Sequence, residues 1–381
     1  MLSLIFFIIA LSVLIIFHEL GHFLAAKKFG IWVQEFGLGY PPRLLAKKVG
    51  ETIYSLNWIP AGGFVRIFGD VTEKIKQIKK KLRKRSLYYQ PKKVRLLVSV
   101  AGVMMNLFLA IIIFALVYSV LGIPKRIGVV KVVGVSQDSP AYQGGLQDQD
   151  MILVVETAEE KVLLRKTDEL IKITAKNAGR LINLIIARKD KDDQKLTLVD
   201  CPRPVKDQEC FLVSLTPREN PPQDEGPLGV IITDTEITKP VWWQRPFLGI
   251  WAGFQEAFFW GKLIVKSLGQ MLGDWVFQGK VPTNVAGPVG IYQATSAIQK
   301  ESGFWAVFHF FGILSVNFAI VNFLPFPALD GSRLIFLFWE MIARKKPSPK
   351  VELIVNQLGM AILIFLLFLV TIGDIRRLLG R

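Results

Sequence analysis

The chain has 381 residues, 51% of them hydrophobic, with a net charge of +16. A soluble domain can reach that apolar fraction, but with its apolar residues scattered. Here they form uncharged blocks, which excludes a purely soluble globule. Met1–Phe17 is one such run, Leu96–Gly122 has 27 residues without a charge, and Leu353–Gly373 has 21. In Phe304–Leu329, 26 residues contain His309 as the only ionisable group. Because about 20 apolar residues cross a bilayer core, a polytopic α-helical membrane protein with four transmembrane helices is expected, at 1–27, 96–122, 304–331 and 353–373.

The first block lacks the leading positive charge of a signal peptide, and its basic residues begin only at Lys27. It is therefore expected to remain as a helix. Between Leu24 and Arg95 there are 17 Lys/Arg against 4 Asp/Glu, whereas Pro124–Gly303 holds 22 of each. The positive-inside rule then places the loop 28–95 in the cytoplasm. Its run Lys74–Arg85, with eight basic residues, reads better as a segment facing anionic lipid than as a nucleic-acid site. No nucleic-acid partner is expected. Alternating residues such as Thr52–Leu56 predict short strands in this loop.

After the second span comes an inserted β-rich domain over 124–236, on the extracytoplasmic side. Apolar runs at Val129–Val135, Met151–Val155 and Leu181–Ala187 are separated by Gly, Pro and Asp turns, and Glu219–Pro227 reads as a linker. The two cysteines, Cys201 and Cys210, fall in this region. A disulfide suits an oxidising compartment, and two separate thiols remain the alternative. The segment 240–275 is aromatic-rich. Its polar residues Gln255, Lys262, Lys266 and Gln270 share one helical face, so interfacial amphipathic helices are expected rather than a fifth span.

Phe17-His18-Glu19-Leu20-Gly21-His22 contains HExxH. On a helix, positions i and i+4 share a face, so His18 and His22 can hold one Zn2+ and Glu19 can serve as general base. The motif arises by chance in soluble helices, but ionisable groups in a spanning helix are expensive and functional by default. A catalytic zinc needs a third protein ligand, and Asp330 is the candidate. His18 lies about 24 Å along the first helix, near the cytoplasmic side. The third segment, if it also runs inward, ends there too. The competing reading of Asp330 is a turn residue before Gly331. Pro325 and Pro327 break the helix, and such backbone is tolerated at membrane depth where it lines a cavity. Asn322 could position substrate or could tie up backbone groups freed by the prolines. Gly102–Asn106 reads as a close-packing site with a buried amide, and His309 as an interfacial or packed histidine.

These motifs together resemble the site-2 protease family of intramembrane metalloproteases, and more narrowly its bacterial regulator-of-sigma-E protease branch. The resemblance rests on Phe17–Phe23, Pro60–Val65, Gly102–Asn106, Gly287–Ile291 and Asn322–Gly331, in order over nearly the whole chain. It implies that His18, His22 and Asp330 are zinc ligands, Glu19 the catalytic base and Asn322 substrate-positioning. It further implies that 124–236 is a PDZ-like domain and that Gly62–Val65 belongs to a membrane-associated β-hairpin offering an edge strand to substrate. The implied partners are the lipid bilayer and a single-pass membrane-protein substrate already cut by another protease, such as an anti-sigma factor or a remnant signal peptide. The implied location is the bacterial plasma (inner) membrane. Gln149 and Val103 stand where relatives often have Gly and Pro, and one PDZ-like domain replaces the tandem pair of many relatives. The rival class is a non-catalytic scaffold with a structural metal.

Overall fold

The computed structural model describes residues 2–70, 78–189, 196–203, 208–222, 225–279 and 286–378. The chain divides into two compact units, residues 1–120 with 241–381, and residues 121–240. The start of the basic run expected from Lys74 lies outside the described residues.

The first unit opens with α1 (Leu2–Lys28). A long hairpin follows, β1 (Val33–Val49) and β2 (Thr52–Ile67). Register shifts fold it on itself, so that Phe36 pairs with both Val65 and Tyr54, while Ala46 pairs with Ser55. The result is a ribbon of four paired segments in one sheet, in which 63–67 forms one edge and 43–49 the other. Inside it, Glu35 is 2% exposed and is held by Arg43 and Ser55. Burial pushes its carboxyl up, but these hydrogen bonds win and keep it below the usual carboxylate range. Then α2 (Lys92–Leu121) begins four residues before the uncharged run. Its first turn is anchored rather than solvated, because Arg95 pairs with the buried Glu340 at 2.6 Å.

The second unit is a β domain. In chain order it contains β3 (Ile123–Val135), the short α3 (Pro140–Gln143), β4 (Met151–Glu156), β5 (Lys161–Leu163) and α4 (Thr167–Lys176). It continues with β6 (Ile182–Arg188), β7 (Thr197–Val199), β8 (Glu209–Leu215) and β9 (Val230–Thr238). The sheet order is β7-β8-β6-β4-β3-β9, with β5 paired to β4. One face of the sheet and α4 enclose a core that includes Val130, Ile152, Leu170, Leu184 and Phe211. Arg188 grips Asp150 through two 2.7 Å hydrogen bonds, a buried bidentate pair. Gln149 beside it sits at φ 73, the left-handed region that glycine occupies without strain. A disulfide joins Cys201 to Cys210 across a sequence separation of 9, which settles the choice left open by the sequence.

The first unit resumes with α5 (Arg245–Gln278). This is one long helix where several were expected at 240–275, and it is not among the helices long and apolar enough to cross a membrane. Its packing face is set by small residues four apart. A Cβ on Gly249 would meet Ser119 Oγ at 2.4 Å, and one on Gly253 would meet Ile111 O at 2.7 Å. Ala257 then packs with Phe114 and Val316. The first half of α5 therefore runs lengthwise along α2, antiparallel to it, because small side chains let backbones approach.

The next helix, α6 (Pro288–Phe323), starts well before the expected boundary at 304 and kinks at Gly303, where φ is 78. It stops at Phe323, so 324–329 is irregular, as the prolines require. A helix that the sequence reading missed, α7 (Asp330–Ala343), comes next, and α8 (Pro349–Leu378) closes the chain. Among the described residues, four helices are long and apolar enough to cross a membrane: Phe7–Lys28, Lys92–Leu121, Pro288–Phe323 and Pro349–Leu378. The chain is thus a polytopic membrane protein with a β domain. Helices α6 and α8 run antiparallel. At one end the buried Asp374 accepts hydrogen bonds from Gly287 N (2.9 Å) and Gly290 N (2.8 Å). At the other, Asn356 Oδ1 accepts from Ala328 N at 3.2 Å. Asp374 thereby caps the orphan N–H groups that begin α6.

Replacing Asp374 by Ala strands the buried Gly287 N–H and the half-buried Gly290 N–H and is expected to lower unfolding stability by about 2 kcal/mol. Thermal unfolding of the full chain reads this, and Asp374→Asn, which keeps one acceptor, should lose less. Cys201→Ser with Cys210→Ser is expected to cost about 2–3 kcal/mol from the loop length, read as an earlier urea transition of the β domain.

Candidate metal centre

Helix α1 carries His18 and His22 one turn apart, each 6% exposed, with ring centroids 4.9 Å apart. Asp330, the first residue of α7, brings Oδ2 to 2.7 Å from His18 Nε2 and 2.9 Å from His22 Nε2. The two Nε2 atoms are 3.3 Å apart. Among the described residues, His18, His22 and Asp330 form a group of ligand atoms lying within 4.8 Å of one another. Two imidazole nitrogens and one carboxylate oxygen are the donor set of a catalytic zinc with an open fourth position, so the residues fit that metal.

The outer nitrogens are oriented by the neighbouring helix. His22 Nδ1 donates to Val98 O at 2.8 Å, which leaves Nε2 with its lone pair for a metal. Asn106 of α2 lies 3.3 Å from His18 Nδ1, and its Oδ1 is otherwise buried without a partner. With the amide turned so that its oxygen faces Nδ1, that oxygen accepts from the ring N–H and His18 Nε2 is also left for metal. Sequence reasoning had taken Asn106 for a packing residue. Its spacing within Gly102–Asn106 was visible, but not that the amide meets an imidazole.

Glycine makes this approach possible. A Cβ on Gly21 would lie 2.3 Å from Ala101 O, and one on Gly102 would lie 2.5 Å from His22 Nε2 and 2.8 Å from His18 Nε2. Any larger residue at 102 enters the space of both imidazoles. Gly331 is equally constrained, since its Cβ would meet Leu324 O at 2.0 Å. That contact folds 324–329 into the tight connection that delivers Asp330. Asp330 is both the residue before this glycine and a member of the cluster.

Glu19 lies beside the histidines on α1, and its Oε2 accepts from Val65 N at 3.1 Å. Val65 is in the 63–67 edge of the ribbon, so this edge faces the metal centre through Glu19. Asn322 occupies the last turn of α6, half-buried, and makes no side-chain hydrogen bond among the described residues. The freed backbone near the prolines is served by Asn356 instead. A further tie was not visible in the sequence. Arg333, one turn beyond Asp330, pairs with Asp70 at 2.6 Å just past the ribbon edge, and the Asp70 carboxylate pushes its pKa up. His309 lies away from the cluster. It is 3.3 Å from Glu256 of α5 and 3.5 Å from Tyr118 of α2, which joins three helices through polar contacts.

Known proteins agree with this chemistry. The sequence profile of peptidase family M50 matches residues 6–366. A Clostridium perfringens protein carrying a zinc-metalloprotease name is 33% identical over 371 residues, covering 97% of this chain and 98% of its own. The regulator of sigma-W protease RasP of Bacillus subtilis is 25% identical over 446 residues, covering 98% of both chains. A Rickettsia conorii protein that also carries a zinc-metalloprotease name is 29% identical over 397 residues, covering 99% of both. The chain belongs to peptidase family M50, the site-2 proteases, and is a zinc metalloendopeptidase of the membrane.

Proposed function

We propose that the chain hydrolyses a peptide bond within or near the transmembrane segment of a single-pass membrane protein, using His18, His22 and Asp330 to hold zinc and Glu19 as the catalytic base. The observation that carries this reading is the convergence of the three ligand atoms beside Glu19, whose carboxylate faces a strand edge. Zinc, when bound there, supplies a Lewis acid that polarises the scissile carbonyl and lowers the pKa of water to about 7. Glu19 takes the proton of the attacking water and delivers it to the departing amide nitrogen, so that C–N cleavage yields a carboxylate and an amine.

A substrate helix must be unwound before its peptide bond is accessible. The 63–67 edge, which meets Glu19 through Val65 N, suits that task, because an added strand gains backbone hydrogen bonds as it leaves its helix. Asn322, with its amide uncommitted, is the substrate-positioning residue in this reading. The substrate is pre-cut by another protease, in the manner of an anti-sigma factor or remnant signal peptide, and the protein resides in the bacterial plasma membrane. The disulfide supports an oxidising, extracytoplasmic location for the β domain. In this reading the domain is PDZ-like, while the basic loop 28–95 is cytoplasmic and α5 runs along the bundle.

Glu19→Gln is expected to reduce cleavage of a reporter transmembrane substrate by about 10²–10⁴-fold while the purified protein retains zinc. Full activity in that variant would reject the mechanism. Gly102→Ala is expected to lose both zinc and activity, because its methyl group enters the space of both imidazoles. Metal analysis of the purified variant, at unchanged expression and thermal stability, reads that effect.

A further inference from the structure

A groove of about 500 Å³ lies between the start of α2 and the outer face of α7, away from the metal centre. Its floor is apolar, formed by Leu96, Phe338 and Met341, and Pro325 closes one end. Lys92 and Lys93 stand at the other. The direction of the groove is fixed by one contact: Lys92 Nζ donates to Glu340 O at 3.1 Å, which sets the first turn of α2 beside the last turns of α7.

This is also where the sequence changes solvent. Basic residues run up to Arg95, and from Leu96 onward 27 residues carry no charge. Lys92 and Lys93 therefore lie at the water boundary, and the floor lies on the hydrocarbon side. Phe338 is 60% exposed and Met341 54%, with none of the described residues covering them. The acid on this stretch of α7, Glu340, is turned inward and paired with Arg95. Arg344 and Lys345 stand just past the end of α7, both exposed. The mouth thus presents positive charge over an apolar slot.

We propose that this groove binds one anionic phospholipid, its phosphate at Lys92 and Lys93 and an acyl chain along Leu96, Phe338 and Met341 toward Pro325. Charge complementarity selects the headgroup, and the apolar floor on the hydrocarbon side of the lysines selects an acyl chain over a soluble anion. The chain end abuts Pro325, in the connection that delivers Asp330, so occupancy also steadies the backbone before that residue.

The test is native mass spectrometry of the full-length protein in detergent, titrated with phosphatidylglycerol or phosphatidylcholine. Phosphatidylglycerol is expected to be retained about tenfold more tightly than phosphatidylcholine, and Lys93→Gln should weaken it about fivefold, the worth of one lysine near an anionic surface. Leu96→Trp, which fills the floor, should displace both lipids. Each variant is first shown to keep wild-type zinc content and thermal stability. Equal retention of the two lipids would overturn the proposal and leave only an apolar annulus. Unchanged binding in Lys93→Gln would overturn it too, as would displacement by soluble glycerol phosphate, which would make this a free-phosphate site.

Discussion

Two imidazoles and a carboxylate must be brought to one point inside a layer that solvates none of them, and the first unit is organised around that demand. The histidines share a face of α1, but sharing a face is not enough. Helix α2 must come near enough for Val98 O and Asn106 to orient the rings, and the chain between α6 and α7 must fold tightly enough to present Asp330. Both approaches depend on absent side chains. Gly21 and Gly102 let α1 and α2 meet, and Gly331 lets the connection close. Lipid offers little hydrophobic drive for helix association, so close packing of small residues and interhelical hydrogen bonds carry it.

The same economy recurs away from the metal. Helix α5 docks through Gly249, Gly253 and Ala257, while Phe247, Trp251, Phe254, Phe258 and Phe259 are exposed. Asp374 caps α6 from α8, and Asn356 reaches back to Ala328. Glu256, His309 and Tyr118 tie three helices together. In each case a polar group that would be costly in hydrocarbon finds its partner on a neighbouring element. Arg333–Asp70 extends this to the ribbon, linking the helix that starts with Asp330 to the strand edge that meets Glu19.

Much of this was legible in the sequence. Uncharged blocks mark the four helices apolar enough to span, because bilayer thickness fixes their length. His18, Glu19 and His22 declare themselves by spacing, and Asp330 by being an acid at the end of an apolar run. Other features were not legible, for identifiable reasons. The start of α6 at Pro288 was hidden because 288–302 is less apolar than 304–323. Helix α7 was hidden behind the prolines, which end one helix without revealing that another begins. The packing of α5 against α2 depends on Gly249 and Gly253, whose partners on α2 no local pattern marks. The partners of Asn106, Asn356 and Arg333 lie 28 to 263 positions away in sequence, beyond any local pattern.

The central claim is that a single zinc is held jointly by α1 and the start of α7. X-ray absorption at the zinc K-edge, on the purified chain and on Asp330→Ala, addresses it directly. The account predicts two imidazole nitrogens at about 2.0–2.1 Å with oxygen completing the shell, and loss of an oxygen neighbour together with most of the metal in the variant. A sulfur shell, a single imidazole, or full zinc occupancy with an unchanged spectrum in Asp330→Ala would contradict it.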